Sequence, residues 1–409
     1  MPGTGSDGRA VVIGGGVGGL TAAVALSRRG WHVTVLERAR DLEPVGAGIV
    51  LAPNAQRALD TVGLGDAIRS LASWQGEGGM RTPTGRWLSR TDARAAAERF
   101  GGPLVLLHRA ALVDHLVRTL PEGTVRTGCP GELLDPGTAD GRPARVRTPG
   151  GELEAALVVG ADGIRSATRA GLFPEHPGPV HAGFTTWRFV VPAPARPFAP
   201  HESWGPASLW GSQPLGDGRV YAYAAATAPD GARAADEKAE LLRRFGDWHD
   251  PIPALLDAVS ADRVLRHDVH HMIRPLPAYH RGRTALLGDA AHAMTPFLGQ
   301  GGNQAIEDAV VLAHHLSPSA GTGPGLAAYS AERLPRTTAV VRRSARATRL
   351  VALRSAPAVA LRQALVSAVS RFGPELVLRT FDGIADWHPP APTYAAPAHG
   401  DVPEPPVGR

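Results

Sequence analysis

The stretch that decides the fold is residues 9–37, RAVVIGGGVGGLTAAVALSRRGWHVTVLE. Arg9 to Ile13 forms a short apolar run, which predicts a buried strand. Leu20 to Arg29 has the apolar spacing of one helix face, and Gly30 suits the position just past a helix end. His32 to Leu36 predicts a second strand. A strand, a helix and a strand in this order form a βαβ unit of a parallel sheet.

The glycines between the first strand and the helix follow the G-x-G-x-x-G spacing at Gly14, Gly16 and Gly19. The first glycine permits a tight turn, the second lets the backbone approach a pyrophosphate, and the third allows close helix–strand packing. The pyrophosphate would lie at the helix N-terminus, which favours an anion. Glu37 follows 18 residues after Gly19 and can accept ribose hydroxyls while repelling a 2′-phosphate. The unit therefore predicts a site for FAD or NAD.

Two further turns of this kind occur far along the chain. Ala155 to Val159 predicts a strand followed by Gly160-Ala161-Asp162-Gly163. Thr284 to Leu287 predicts another strand, followed by Gly288-Asp289 and then by the glycine-rich loop 299–303 and a helix. The recurrence of strand, Gly/Asp turn and helix argues against a merely glycine-rich first turn.

Three motifs in this order resemble those of the FAD-dependent aromatic hydroxylases of the p-hydroxybenzoate hydroxylase type, the class A flavoprotein monooxygenases. They are the fingerprint at 14–19, the Asp162-Gly163 pair and the Gly288-Asp289 pair. Shorter segments are also similar, namely Gly46-Ala47-Gly48-Ile49, Pro53-Asn54-Ala55, His108-Arg109, Trp187-Arg188 and 331–336. The resemblance covers roughly residues 9–390.

The resemblance implies FAD that is bound tightly but without a covalent link. Asp289 would bond a ribityl hydroxyl, Arg109 would contact the flavin chain near its phosphates or ribityl, and Gly48 and Val50 would line the flavin through their backbone. The candidate cofactor residues are Gly14, Gly16, Gly19, Glu37, Arg38, Gly48, Val50, Arg109, Asp162, Asp289, Gly299, Gln300, Gly301, Gly302 and Asn303.

The loop 299–303 has a physical reason to face the flavin. Reduced flavin is an anion with its charge near N1 and O2. Backbone N–H groups at a helix N-terminus stabilise negative charge by roughly 0.3–1 kcal/mol, and by more in buried geometry. Glycines at 299, 301 and 302 let the backbone come close. We therefore expect this loop to present N–H groups to the pyrimidine end of the isoalloxazine.

Several of these positions also have a plain structural interpretation. Asp289 could be only the N-cap of the helix after it. Asp162 and Arg165 are expected beside a groove used by the FAD pyrophosphate and incoming NAD(P)H, but Arg165 could equally be a surface salt-bridge residue. Ser166 is predicted to be an N-cap, and His292 to make a structural hydrogen bond rather than to act as a base.

The pattern changes between residues 180 and 266, where strands dominate and several alternate. Residues 80–90 predict another strand pair. The expected fold is α/β, a Rossmann-like FAD-binding domain with an inserted, mostly antiparallel β-sheet substrate domain and C-terminal helices. Its predicted divisions are 1–75, 100–178 and 267–345 for FAD, 76–99 and 179–266 for the substrate, 346–390 for a helical interface, and 391–409 for a disordered tail.

Aromatic residues of the inserted region are the candidates for a substrate pocket. Alternation places Tyr221 and Tyr223 on one face of a strand, although most sheet aromatics are core residues. Arg188 is the basic residue best placed to meet an acidic substrate. The substrate candidates are Trp187, Arg188, Trp210, Tyr221, Tyr223 and Phe297, and the residues expected to line the reacting site are Pro296, Phe297 and Gly299. No catalytic base is assignable.

The resemblance implies a monooxygenase that uses NAD(P)H and O2 to hydroxylate or epoxidise a small electron-rich aromatic or heteroaromatic ring through a flavin C4a-hydroperoxide. Because no second G-x-G-x-x-G follows a strand, NADH or NADPH is expected to bind transiently in a groove. Two alternatives remain open at this point, a flavin-dependent reductase or oxidase on the same fold and a non-catalytic flavin-binding module.

Composition excludes several other classes. The 409 residues carry a net charge of only +5, and Lys238 is the single lysine, so no P-loop is present. The charge is spread without a dense basic block, which argues against nucleic acid, and no apolar run is long enough for a membrane span. Cys129 is the single cysteine, which excludes an internal disulfide and is compatible with the cytoplasm. We expect a monomer or a homodimer.

Overall fold

The computed structural model describes residues 8–42, 48–71, 77–139, 141–372, 379–391 and 394. Its strands are β1 (Arg9–Ile13), β2 (His32–Leu36), β3 (Gly48–Leu51), β4 (Glu77–Arg81), β5 (Trp87–Asp92), β6 (Val105–His108), β7 (Val125–Arg126), β8 (Glu132–Asp135), β9 (Ala144–Thr148), β10 (Gly151–Ala155), β11 (Leu157–Gly160), β12 (Val180–Pro192), β13 (His201–Gly205), β14 (Ser208–Pro214), β15 (Arg219–Thr227), β16 (Leu265–His271), β17 (His280–Arg281) and β18 (Thr284–Leu286).

Its helices are α1 (Val17–Arg28), α2 (Pro53–Thr61), α3 (Gly65–Ser70), α4 (Ala93–Phe100), α5 (Arg109–Arg118), α6 (Ala167–Leu172), α7 (Glu237–Phe245), α8 (Ile252–Ala258), α9 (Asp289–His292), α10 (Gly301–His315), α11 (Thr322–Val351) and α12 (Ala356–Phe372). Short 3₁₀ turns occupy Ala261–Arg263, Pro296–Leu298 and Arg379–Phe381.

The first sheet has six strands in the order β17-β18-β11-β1-β2-β7. The neighbours from β18 to β7 run parallel, and only β17 pairs antiparallel. β1 and β2 span the residues predicted for them, and α1 connects them. The predicted βαβ unit is thus confirmed, and it lies at the centre of the parallel sheet.

The six-stranded sheet is covered on both faces because the side chains of β1 alternate. Ala10 and Val12 pack among the helices, in one core with α1 and α10. Val11 and Ile13 point the other way, onto the small antiparallel sheet β10-β9-β8. All four side chains are at most 4% exposed. This explains why β1 is apolar throughout, as expected of a strand that is buried on both faces.

A seven-stranded sheet has the order β16-β12-β15-β14-β13-β4-β5. Its pairs are antiparallel except β13 with β4. One face carries an apolar cluster with α7 and α8. The other face packs against the strand pair β3-β6 and the 3₁₀ turn after α9. The sheet therefore stands between two packed layers, and its second face is the one turned toward the turns that follow the parallel strands.

Three features of the structure cross or lie beyond the predicted divisions of the chain, which otherwise stay predictions. β16 runs from Leu265 to His271, so the inserted sheet extends past residue 266. α11 is one continuous helix through residue 345, with Pro335 inside it. Tyr394 is 4% exposed and its hydroxyl donates to the carbonyl of Val310 at 2.5 Å. The predicted disorder of 391–409 is therefore wrong at Tyr394, while 392–393 and 395–409 lie outside the described residues.

Candidate active site

The three Gly-rich turns meet at one edge of the parallel sheet. Ile13 at the end of β1 lies beside Leu36 of β2 and Gly160 of β11, and Gly160 lies beside Leu286 of β18. The turns that follow these strand ends are therefore neighbours, although about 270 residues separate the first from the last. In open α/β sheets, ligands bind outside the carboxyl ends of the strands.

Each glycine of the fingerprint has a separate spatial reason. Gly14 has a φ of +113°, and a Cβ there would lie 2.3 Å from the carbonyl oxygen of Ala161. A Cβ on Gly19 would lie 2.0 Å from the carbonyl oxygen of Gly14. At Gly16, the nearest atom to such a Cβ is Nη2 of Arg109, at 3.8 Å. Gly14 and Gly19 thus serve the tight turn and the packing, whereas a Cβ on Gly16 would meet little beyond the Arg109 guanidinium.

Glu37 holds the first turn to the end of β2. Its carboxylate accepts the backbone N–H of Gly15 at 2.7 Å and that of Ala39 at 2.8 Å. Each carboxylate oxygen keeps a second lone pair for a ribose hydroxyl. Arg38, the other candidate at this position, is exposed.

Asp162 organises its own turn. Its carboxylate accepts the Ser166 hydroxyl at 2.5 Å and the backbone N–H of Thr168 at 2.9 Å. Ser166 in turn accepts the N–H of Arg169 at 2.8 Å, which confirms it as the N-cap of α6. Arg165 is exposed. Sequence reasoning placed Asp162 at the groove, and the structure uses both of its carboxylate oxygens to shape the turn there.

Asp289 is the first residue of α9, and Gly288, with a φ of 59°, occupies the N-cap position. Asp289 is therefore not the cap of that helix. Its side chain is accessible to solvent, yet the surrounding protein raises the pKa of its carboxyl by desolvation, against the opposing effect of Arg109, Arg188 and other cations. The Asp289 carboxylate thus borders open space close to Arg109 and Arg188, and we call this space the depression.

His292 makes a structural contact, as predicted. Its Nε2 lies 2.5 Å from Oδ2 of Asp308, and the same carboxylate oxygen accepts the N–H of Gly288 at 2.9 Å. The charges of His292 and Arg333 outweigh burial and lower the pKa of Asp308 to about 2. Asp308 thus holds the Gly288-Asp289 turn in place through the Gly288 N–H.

A buried ion network behind this turn was missed by sequence reasoning. Arg333 donates to Asp308 at 2.6 Å and to Glu307 at 2.5 Å, and Arg336 donates to Glu307 at 2.7 Å. Arg333, Glu307 and Asp308 have no exposed side-chain surface. The available signal was the Glu307-Asp308 pair in the middle of an otherwise apolar helix, since buried carboxylates require partners.

The loop 299–303 is clamped by its own side chains. Asn303 accepts the N–H of Ala52 at 2.8 Å and donates to the carbonyls of Val50 and Gly299 at 2.9 and 2.7 Å. Gln300 is also turned inward, where its side-chain oxygen accepts Asn54 Nδ2 at 3.2 Å. The side chains of Asn303 and Gln300 are therefore occupied, and the ligand-facing groups of the loop belong to its backbone.

The backbone of this loop is suited to an anion. Gly301 and Gly302 begin α10, and the first N–H groups of a helix have no partner within it. Gly299 has a left-handed φ of 62°, which glycine adopts without strain. A Cβ on Gly301 would lie 3.9 Å from Oδ1 of Asp289. The helix N-terminus and the Asp289 carboxylate thus border the same depression.

An aromatic wall stands opposite. Tyr221 and Tyr223 share a face of β15, with ring centroids 5.4 Å apart. Tyr221 packs so closely on Gly48 that a Cβ there would lie 2.3 Å from its ring. Phe297 packs edge-on against Phe184 at 5.1 Å. The wall therefore joins the flavin-side strand β3 to the turn after α9, and Pro296 and Gly299 flank Phe297 as exposed residues.

Two polar contacts belong to this wall. The Tyr223 hydroxyl donates to Glu202 at 2.5 Å, and burial together with this carboxylate raises the pKa of Tyr223 well above 10. Arg188 lies 3.2 Å from Nδ1 of His267, and its Nε is buried with no hydrogen-bond partner among the described residues. Burial also raises the pKa of Tyr221, opposed by the charges of Arg188 and Arg109. Sequence reasoning did not single out Glu202.

Trp187 and Trp210 do not belong to the pocket, so their selection as substrate residues is corrected here. Trp187 donates to Glu237 at 2.7 Å and Trp210 to Ser212 at 2.8 Å. Both lie in the core between the seven-stranded sheet and α7–α8. The physical reason is the period of two in a strand, which turns Trp187 away from the face on which Arg188 lies.

Comparison with known proteins supports the same assignment. Residues 7–344 match the family described as FAD binding domain. The chain is 39% identical to the aurachin C monooxygenase/isomerase of Stigmatella aurantiaca, over 88% of this chain and 94% of the relative. It is 37% identical to a 3-amino-4-hydroxybenzoate 2-monooxygenase of Streptomyces platensis, over 82% and 86%. The chain belongs to the FAD-dependent aromatic hydroxylases.

A solved structure agrees with this membership. HpxO of Klebsiella pneumoniae, in complex with FAD and uric acid, superimposes with a TM-score of 0.84 at 26% identity, covering 92% of this chain and 97% of that one. This hydroxylase is thus an FAD-dependent monooxygenase with the α/β fold expected from its motifs. The open space at Gly16, the accessible Asp289 carboxylate and the N-terminal N–H groups of α10 at Gly301 have the chemistry to hold an anionic, hydroxyl-bearing cofactor such as FAD.

Proposed function

We propose that this hydroxylase uses NADH or NADPH, bound transiently, and O2 to oxygenate a small aromatic or heteroaromatic ring that carries an acidic O–H or N–H group. FAD, when bound, supplies the electron transfer from the nicotinamide and the activation of O2. The names of relatives support the substrate class, since they include a 3-amino-4-hydroxybenzoate 2-monooxygenase, a 3-hydroxybenzoate 6-hydroxylase and a urate hydroxylase.

The observation that carries the proposal is the depression between Asp289 and the aromatic wall. One side has the N-terminus of α10, whose N–H groups stabilise negative charge on the flavin. The opposite side has Tyr221, Tyr223 and Phe297, whose flat surfaces suit a ring. A flat cofactor and a flat substrate fit between these two sides, which holds the ring in place and excludes water.

Arg188 is the residue that we assign to an ionised or polarised ring oxygen. Its Nε is buried and unpartnered among the described residues, and a buried donor of this kind costs stability unless a ligand accepts from it. Arg188 and Arg109 both act electrostatically on Tyr221 and on Asp289, so the two arginines and the Asp289 carboxylate lie around the same space. Arg188 therefore favours the anionic form of a phenol or carboxylate substrate.

Tyr223 and Glu202 would handle the proton of the ring. The Tyr223 hydroxyl donates to Glu202, so its oxygen lone pairs can accept an O–H or N–H from the substrate. A proton passed to Tyr223 can move on to the carboxylate of Glu202. Removal of that proton makes the ring more electron-rich and thus more reactive toward an electrophilic oxygen.

The two large sheets are assigned to different ligands. We assign FAD to the part built on the six-stranded parallel sheet, and the substrate wall to the seven-stranded sheet together with the turn at Phe297. Domain ranges of 1–75, 100–178 and about 272–345 for FAD, and 76–99 and 179–271 for the substrate, describe this assignment.

The test is a screen of hydroxylated benzoates, aminophenols, purines and quinolines for compounds that accelerate flavin reduction by NADH or NADPH, followed by product mass analysis under ¹⁸O₂. One labelled oxygen in the product is expected. Arg188→Met should raise KM for acidic substrates at least tenfold with a smaller effect on uncharged rings. The exposed arginine of the same sheet domain, Arg263→Met, is the matched control and should behave like the parent.

Two outcomes would contradict the proposal. A product without label from O2 would favour a flavin-dependent reductase or oxidase. If the protein binds flavin but no ring compound stimulates its oxidation of NAD(P)H, the result would favour a non-catalytic flavin-binding module.

A further inference from the structure

Helix α12 presents an apolar face to solvent. The exposed fractions of Leu361, Leu365 and Val369 are 61%, 57% and 37%. These residues recur at every fourth position, so they lie on one side of the helix. Ala360, Ala364 and Ala368 are exposed beside them. The result is a continuous apolar stripe along about three turns, and we call residues 360–369 on this side the α12 stripe.

The inward side of α12 mixes apolar residues, such as the 7% exposed Val359, with polar ones. Arg362 is 5% exposed, and its guanidinium donates to the carbonyls of Leu350 and Gly205, both at 2.9 Å. Gln363 and Ser367 are also partly buried. A surface helix of a globular protein normally turns its apolar stripe to the core and its polar side to water. The exposed leucines of α12 depart from this pattern, which leaves the stripe open to an apolar partner.

The charge of this region is one-sided. Residues 333–372 contain nine arginines and no aspartate or glutamate. Removing these nine from the 43 basic residues of the chain leaves 34, which is fewer than its 38 acidic residues. Two of the nine, Arg333 and Arg336, pair with Glu307 and Asp308, so the other seven arginines give this segment its positive charge.

Several of these arginines form a row on the outside of α11. Arg342, Arg346 and Arg349 are exposed at helical spacing and border a shallow depression with Ile273. Leu350, 52% exposed, continues the row at the end of the helix. None of the three arginines has a salt-bridge partner among the described residues. The basic row and the α12 stripe thus lie on consecutive helices joined by the short segment 352–355.

We propose that the α11 row and the α12 stripe form a docking surface for an anionic lipid bilayer. A basic surface beside an exposed apolar helix face matches lipid headgroups beside acyl chains. No helix in the described part of the chain has the length and hydropathy to cross a bilayer, so α12 would lie in the interface without spanning the membrane.

The same observations disfavour two other partners. A second copy of the chain would pair the surface with itself, and the unpaired arginines of one copy would then approach those of the other. The C-terminal residues 395–409 contain no leucine, isoleucine, methionine or aromatic residue, so they offer little to cover the α12 stripe. A bilayer supplies both the acyl chains and the negative charge.

The experiment is flotation of the full-length holoenzyme with phosphatidylcholine vesicles that contain either no anionic lipid or about 30% phosphatidylglycerol, which gives the vesicle surface a negative potential. We expect binding to the anionic vesicles only. Salt at 0.5 M should weaken this binding, because it shortens the Debye length to about 4 Å and screens the attraction between the arginines and the lipid headgroups. Arg346→Gln with Arg349→Gln should weaken vesicle affinity about 30-fold, at about fivefold per charge.

The apolar part is tested separately. Leu361→Ser with Leu365→Ser should weaken affinity at least about tenfold. The matched controls are Leu104→Ser, 52% exposed in the segment between α4 and β6, and Arg145→Gln with Arg147→Gln on the small sheet, none of which should change binding. Bound FAD and the melting temperature report whether each variant is folded.

Equal binding to both vesicle types, no binding to either, or equal loss in the control variants would overturn the proposal. A concentration-dependent dimer in analytical ultracentrifugation that Leu361→Ser with Leu365→Ser dissociates, without vesicle binding by the parent, would assign the surface to a second copy instead. Flavin reduction by NAD(P)H is measured in parallel, so failure of vesicle binding is distinguishable from failure of the oxygenase assignment.

Discussion

Arg333→Met is expected to destabilise the protein strongly, because Arg333 is fully buried beside two carboxylates. The guanidinium lies among Asp308 at 2.6 Å, Glu307 at 2.5 Å and the side-chain oxygen of Gln304 at 2.9 Å. Two carboxylates and two arginines, Arg333 and Arg336, balance one another in this site. Methionine fills similar space but removes one cation, so one buried carboxylate loses its counter-charge.

The expected cost is about 3–5 kcal/mol, the usual effect of breaking a buried ion pair. This is a large share of the roughly 5–15 kcal/mol by which folded proteins are stable. Urea unfolding, followed by tryptophan fluorescence and by release of FAD, measures it. FAD should leave at lower urea than in the parent, because Asp308 also holds the N–H of Gly288 beside the cofactor depression.

A double-mutant cycle identifies the cause. If the cost is an uncompensated charge, Asp308→Asn should be less harmful in the Arg333→Met background than alone, with a coupling of about 1–3 kcal/mol. Arg342→Met, an exposed arginine on the same helix, is the control and should stay within about 0.5 kcal/mol of the parent. The reasoning is refuted if Arg333→Met costs less than about 1 kcal/mol, or if Asp308→Asn adds its full cost to it.

Four further substitutions separate the roles of other residues. Gly19→Ala should lower the melting temperature of the FAD-free protein, because its Cβ would lie 2.0 Å from the Gly14 carbonyl oxygen. Gly16→Ala should leave that melting temperature unchanged and weaken FAD binding, which titration of the apoprotein with FAD measures. Glu202→Gln should lower kcat about 10²-fold with little change in KM and shift the pH profile of kcat, since the Tyr223 hydroxyl loses its proton acceptor; an unchanged profile contradicts the relay. Burial lowers the pKa of His201 from 6.5 to about 4, so its contribution to stability is present above pH 6.5 and lost as pH falls toward 4. The melting temperature of His201→Gln should therefore change less with pH over that window than the melting temperature of the parent. An equal decline in the parent and the variant would exclude His201 as the cause.

The cofactor half of the site was predictable because its determinants are local. A glycine that must adopt a φ of +113°, or that must leave room for another backbone, is required by a few neighbouring atoms, so the requirement is visible as a spacing. The same holds for Ser166, whose capping contact reaches only three residues along the chain. The convergence of the three turns was also predictable, since the ends of parallel strands meet at one edge.

The substrate half was only partly predictable. Alternation correctly paired Tyr221 with Tyr223, but it gave no sign of which face of the sheet points to the cofactor. Trp187 and Trp210 were therefore assigned to the pocket although they pack against α7 and α8. Glu202 was missed because its partner Tyr223 lies on another strand, 21 residues away in the chain.

The amino-acid sequence alone determined the βαβ core, the order of the three turns, the family and the cofactor, because each depends on backbone geometry within a short segment. Only the tertiary structure decided which face of the seven-stranded sheet each aromatic residue occupies, how Arg333 neutralises Glu307 and Asp308, and that α12 turns its leucines outward. These properties depend on which elements cover which faces. Contacts between distant segments are set by packing of the whole chain, and no local spacing records them.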